Sequence, residues 1–120
     1  MTVHDGLEVV EFHDRTELRA WLILRDATHP GVWVRLARAG SRRPSVSFTD
    51  LLEEGLCFGW SESTRHVGDD ASYLQRFTPR RGLGTASERN RRLVHRLSAA
   101  GLMTSAGYRA LGMRMPGEAG

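Results

Sequence analysis

Between Asp14 and Arg25 the apolar positions Leu18, Trp21 and Leu22 recur at helical spacing. Ahead of them, Asp14-Arg15-Thr16-Glu17 offers an N-cap acid with a glutamate three residues on, so a helix is predicted from there to about Arg25. Asp26 to Gly31, with Thr28, His29 and Pro30, breaks it. In the next segment Val32, Val34 and Leu36 alternate with Arg35 as in a strand, although Trp33 and Leu36 also suit a helix. Two β-branched residues within three favour the strand. After the loop from Ala39 to Pro44, Ser47 or Thr49 can cap a second helix, roughly Phe48 to Leu56. Its inward face is Leu51, Leu52 and Leu56, and Glu53 and Glu54 point outward. Phe58 to Ser63 and Ser72 to Phe77 read as paired antiparallel strands around the turn-rich Val67-Gly68-Asp69-Asp70, ended by Pro79. Residues 1–13 alternate loosely and fit a short edge strand or an extended arm.

Gly82-Leu83-Gly84 reads as a connector, and Thr85-Ala86-Ser87-Glu88 as a capping box opening a helix from about Ser87 to Ala100. Leu93, Val94 and Leu97 face the core there, and Gly101 closes the helix. Thr104 caps a short last helix to about Met113. The expected fold is α+β: a small antiparallel sheet of two to four strands packed with three or four helices. A single domain is expected over residues 1–113, with 114–120 a disordered tail.

Charge changes this picture more than composition does. Seven of the seventeen arginines fall between Arg76 and Arg96, where Glu88 is the one acid, and the chain has no lysine. Such a concentration points to an anionic partner, and guanidinium groups grip phosphate or carboxylate with two prongs. No apolar run approaches the roughly 18 residues that span a bilayer, so no membrane partner is expected. The N-terminus lacks a basic start and an apolar signal region, and Cys57 is the lone cysteine. Both features imply a cytoplasmic protein without a disulfide. With no paired cysteines, phosphate-cradling glycine loop or Ser-His-Asp order, neither a cofactor nor a metal is expected. His66 with Asp69 and Asp70 is too sparse a ligand set to imply one. Cys57, between Leu56 and Phe58, reads as an inert buried thiol.

Phe58-Gly59-Trp60, Asp70, Tyr73, Arg76-Phe77-Thr78-Pro79-Arg80, Ser87, Asn90 and Gly101 together resemble the YdeI/OmpD-associated (bacteriocin-protection) family. The likeness runs from about Phe12 to Gly112, and Trp21 and Trp33 also stand at spacings the family favours. This sequence departs from the family where Ser61-Glu62-Ser63 follows the Phe-Gly-Trp piece in place of Ile-Asp-Gly, and where Ala86 replaces a tryptophan. The match is to the N-terminal half of a family member, without the lysine- and alanine-rich helical segment that usually follows. The resemblance implies a bacterial protein with a role in stress or antimicrobial resistance. A homodimer could cover an apolar patch left by the absent segment.

Three functional readings follow. In the first, Arg76, Arg80 and Arg81 converge on an anionic or polar small molecule, Asn90 orients it and Trp60 packs on its apolar part, in a pocket between the hairpin and the Thr85-capped helix. Against it stands pairing of these arginines with Glu62, Asp69 or Asp70, and a core position for Trp60. If Trp60 and Ala86 shared one cavity, it would accept a bulkier ligand than the family's. In the second, the stripe Arg89, Arg92, Arg96 follows a nucleic-acid backbone; against it stands an ordinary solvated helix face. In the third, the chain is a small enzyme of secondary metabolism in which Glu62 acts as a catalytic acid or base on a substrate anchored by Arg76, which requires both side chains in one pocket.

Overall fold

The computed structural model describes residues 2–81 and 86–116. Nine elements follow in order: β1 (Val3–His4), β2 (Leu7–Val10), α1 (Arg15–Ile23), β3 (Val32–Ala37), α2 (Phe48–Phe58), β4 (Trp60–Val67), β5 (Ser72–Pro79), α3 (Glu88–Ala99) and α4 (Ser105–Ala110). The fold is α+β, and one mixed sheet holds five strands in the order β1-β2-β3-β5-β4. The sheet thus exceeds the two to four antiparallel strands expected, for two reasons. The first ten residues fold into a hairpin, β1 against β2, through Asp5 and Gly6, both at positive φ. And β2 pairs with β3 in parallel, because α1 carries the chain back across the sheet between them.

Strand alternation gives the sheet two different faces. Val32, Val34 and Leu36 of β3 pair with Phe77, Gln75 and Tyr73 of β5 on the face that α1 and α2 cover. Trp60 and Glu62 of β4 share this face, opposite Pro79 and Phe77. Trp33, Arg35, Ser72, Leu74, Arg76 and Thr78 point the other way. There Trp33 and Leu74 are buried with Leu7, and His4 stacks 4.2 Å from His66, which brings β1 over this open face.

α2 is the hub of the molecule. Its residues from Leu51 to Cys57 are all buried, between the sheet and α1 on one side and α3 and α4 on the other. Of the two caps expected, Ser47 and Thr49, Ser47 serves, in a reciprocal box with Asp50. Glu53 and Glu54, however, do not face outward. Arg15 of α1 donates to Glu53 at 2.8 Å and to Glu54 at 3.1 Å, and Arg19 donates to both oxygens of Glu54 at 3.1 Å. Glu54 is wholly buried, and the arginines that make this tolerable come from a helix distant in sequence.

α4 is seated on the end of α2 by two glycines. A Cβ on Gly107 would lie 2.4 Å from the Cys57 carbonyl oxygen; one on Gly59 would lie 2.8 Å from Ala110 Cβ. Gly59 also ends α2 in the left-handed conformation, at φ 83°. This close approach sets Ala106, Arg109 and Ala110 beside the start of β4. Ser87 caps α3 by accepting from the Asn90 N–H; the Thr85 cap and the Gly82-Leu83-Gly84 connector lie outside the described residues. Met115 packs against the α2–α4 core, and 117–120 of the expected tail lie outside the described residues. Among the described residues no helix is long and apolar enough to cross a membrane.

Candidate anion-binding cleft

Where α1, the α2–β4 junction, the end of β5 and α4 meet, they leave a cleft of about 420 Å³. Its floor is apolar, built from Leu22, Phe58, Trp60, Pro79, Ala106 and Ala110. Arg25, Arg80, Arg81 and Arg109 stand around it with a single carboxylate, Asp26. None of the four arginines forms an ion pair among the described residues. Asp26 is engaged locally: its Oδ1 accepts from the Thr28 hydroxyl and, at 2.9 Å, from the Thr28 N–H. These bonds hold its carboxyl below the usual aspartate range, so it stays charged at neutral pH.

Two of the arginines are held in place by their surroundings. Arg25 lies with its guanidinium carbon 4.5 Å from the Trp21 ring centroid, a cation–π contact that fixes its direction. The Arg80 backbone N–H donates to the Gly59 carbonyl at 2.9 Å, tying the chain after β5 to the end of α2. Its Nε is buried and has no hydrogen-bond partner among the described residues. A buried donor left unmet costs about 1–3 kcal/mol.

A second recess of about 490 Å³ lies on the other side of the same ridge. Pro79, Arg80 and Arg81 line both recesses, and Pro30, Ser61, Arg76 and Thr78 complete the second. Strand alternation explains the split: Arg76 and Thr78 point to the open face of the sheet, Phe77 and Pro79 to the helix face.

Of the residues expected to bind a ligand, Trp60, Arg80 and Arg81 therefore meet in one cleft, and Arg76 meets the two arginines in the adjoining recess. Trp60 is also a core residue, 2% exposed and 5.1 Å from the Phe77 ring. Asn90 lines neither recess; its backbone N–H is used by the Ser87 cap. Ala86 packs with Leu52, Val94 and Tyr108 in the α2–α4 core, so Trp60 and Ala86 do not share a cavity. Arg76, Arg80 and Arg81 do not pair with Asp69, whose Oδ1 accepts from the Ala71 N–H and the Ser72 hydroxyl, each at 2.9 Å.

Glu62 and Arg76 do not form the joint pocket that acid–base catalysis required. Glu62 sits opposite Phe77 on the helix face, whereas Arg76 pairs with Trp33 on the open face. Glu62 lines neither recess, and its Oε2 is buried without a partner among the described residues. The arginine stripe of α3 is also divided: Arg89 and Arg92 are exposed and unpaired among the described residues, while Arg96 is bound to Glu53. Cys57 is buried, and burial, with the Glu54 charge adding to it, pushes its thiol up to about 11. Among the described residues no cluster of three or more metal-ligating side chains forms.

Arg25 and Arg109 were absent from the expected site. Each looks like an ordinary solvent-facing arginine in its own helix or helix end, and only the seating of α4 beside α1 brings them together.

The chain matches the family model described as "Domain of unknown function (DUF8412)" over residues 10–110, and it belongs to that family. Every residue that lines the cleft falls inside this stretch, while the β1–β2 hairpin lies almost wholly ahead of it. No curated protein and no solved structure matches the chain.

Proposed function

We propose that this domain binds a small anionic molecule with an apolar body in the helix-side cleft. The observation that carries this reading is four arginines without carboxylate partners among the described residues, around an apolar floor. In such a site the guanidinium groups take the anionic oxygens, and the burial of the apolar body against Leu22, Phe58, Trp60 and Pro79 adds the non-polar contribution. Arg80 is the central anchor, since it lines both the cleft and the adjoining recess and has no carboxylate partner among the described residues. The Phe58-Gly59-Trp60 and Phe77-Thr78-Pro79-Arg80 pieces that resemble the YdeI/OmpD-associated family supply much of the cleft wall. A role in bacterial stress or antimicrobial resistance, acting through capture of such a molecule, is consistent with that placement.

Trp60 in the floor and Trp21 beneath Arg25 make the cleft readable by tryptophan fluorescence. Titration with phenyl phosphate should give a saturable change that persists at moderate salt. Arg80→Ala, with an unchanged melting curve, should weaken it at least about tenfold, the scale of one charged hydrogen bond. Equal binding by the folded variant would remove the cleft from consideration.

A second reading is nucleic-acid binding along α3, supported by the exposure of Arg89 and Arg92. It calls for affinity that falls by orders of magnitude as salt rises, the mark of counterion release. With Arg96 committed to Glu53, the stripe offers fewer phosphate contacts than its spacing promised.

A further inference from the structure

We infer that the ligand of this site carries two anionic groups, one seated on each side of the Pro79–Arg81 ridge. This rests on the reading of the helix-side cleft given above. The two recesses are lined together by Arg25, Arg76, Arg80, Arg81 and Arg109 against Asp26 alone, five positive charges less one negative, a net of four. One phosphate monoester brings about −1.5 to −2 and leaves much of that charge unmet; two bring it close to neutral.

The two sides are also furnished alike. Each holds its own arginine or arginines, Arg25 and Arg109 on the helix side and Arg76 on the open side. Each has one hydroxyl close by that is unengaged among the described residues, Ser105 on one side and Thr78 on the other, whereas Thr104 and Ser61 donate to the Cys57 and Glu62 carbonyls. Arg80 and Arg81 line both, so a charge on either side is felt across the ridge. Two separate anions so close would repel each other. A covalent link between them offsets that repulsion by raising the effective concentration of the second group.

The class of ligand is therefore a small bis-anion, with phosphate or carboxylate groups at the ends of a short body that crosses Pro79. A nucleic-acid strand following the α3 stripe would not engage these recesses, because none of the α3 arginines lines them.

The test is calorimetric titration of the whole chain with α,ω-alkanediol bisphosphates of increasing length, each beside the alkyl monophosphate of equal length. Dicarboxylates and monocarboxylates form a parallel series. A bis-anion of favoured length should bind about tenfold or more tighter than its mono-anion, a modest tether gain. Arg76→Ala should erase that difference, Arg109→Ala should weaken both series, and Arg89→Ala on α3 should alter neither. Whichever series gives the larger gain identifies phosphate or carboxylate as the anionic group. Mono- and bis-anions binding alike at every length, or Arg76→Ala weakening both equally, would overturn the inference while leaving the single cleft standing. If no anion of either kind binds, or if only oligonucleotides do, the cleft reading and the inference fall together.

Discussion

Arginine does two kinds of work in this molecule, and the α1–α2 seam and the cleft show the difference. In the seam Arg15, Arg19 and Arg96 face Glu53 and Glu54, and every charge has an opposite within reach. Burial works against the charge of Arg15, but its bonds to Glu53 and Glu54 prevail and raise its pKa above the ordinary arginine value. In the cleft, Arg25, Arg80, Arg81 and Arg109 gather around one carboxylate, Asp26. Paired arginines close a structure; gathered, unpaired ones are what the proposed anion site rests on. A count of arginines along the chain cannot separate the two, because the partners of the first group are distant in sequence.

The largest expected effect breaks the seam. Glu54→Ala leaves Arg15 and Arg19 facing a buried site with no counter-charge from it, and should cost about 3–5 kcal/mol in urea unfolding. The cleft variant Arg80→Ala removes an unmet buried donor and should cost no stability in the same urea unfolding, with any change toward a more stable fold. A comparable loss in both would erase the distinction. Next is Gly107→Ala. Alanine usually gains about 1 kcal/mol over glycine inside a helix, but here the new Cβ meets the Cys57 backbone at 2.4 Å. The clash should win, with a net loss of about 1–3 kcal/mol and weaker anion binding as Arg109 and Ala110 shift. A stabilised variant would mean that α4 moves freely and does not set the cleft.

Smaller effects sharpen the comparison at its edges. Arg96 belongs to the seam by partner but is 64% exposed, so Arg96→Ala should cost under about 1 kcal/mol. A larger cost would make it a core member of the network. The least effect concerns His29, beside Trp60 and Trp21, whose pKa is lowered by burial first and by Arg25 second. The native state favours the neutral ring, whose Nδ1 accepts from the Gly31 N–H. Stability should thus be full above about pH 6.5, decline as pH falls below it, and level off below the folded pKa. Thermal melts of His29→Asn should lack that portion of the slope; an identical slope would exclude His29 as its source.

Much of the framework could be read from local sequence because the signals are local. Asp14, Ser47 and Thr104 each accept from a backbone N–H three residues on and start a helix as their sequences indicate, and Ser87 does so for α3 where the sequence pointed to Thr85. The β4–β5 hairpin follows from alternation around a turn. The first hairpin was equally local, since Asp5-Gly6 is a two-residue turn signal, but only Val3, Leu7, Val9 and Val10 supply apolar positions in its strands. The parallel pairing of β2 with β3 has no local signature at all. Glu53 and Glu54 mislead for the same reason: within α2 they look like a solvent face, and only α1 makes them buried partners. The site was half legible. Trp60, Arg80 and Arg81 stand close to one strand pair, whereas Arg25 and Arg109 come from opposite ends of the chain. Arg76 and Glu62 were separable in principle, because alternation sends Arg76 and Phe77 to opposite faces and Glu62 pairs with Phe77.

The measurement that bears most directly on this account is nuclear magnetic resonance of the arginine Nε–H groups during titration with phenyl phosphate. The Arg80 resonance should move most, with Arg25 and Arg109 following, while Arg15 and Arg19 in the seam stay fixed. Movement confined to Arg89 and Arg92, or shared evenly by all the arginines, would contradict it.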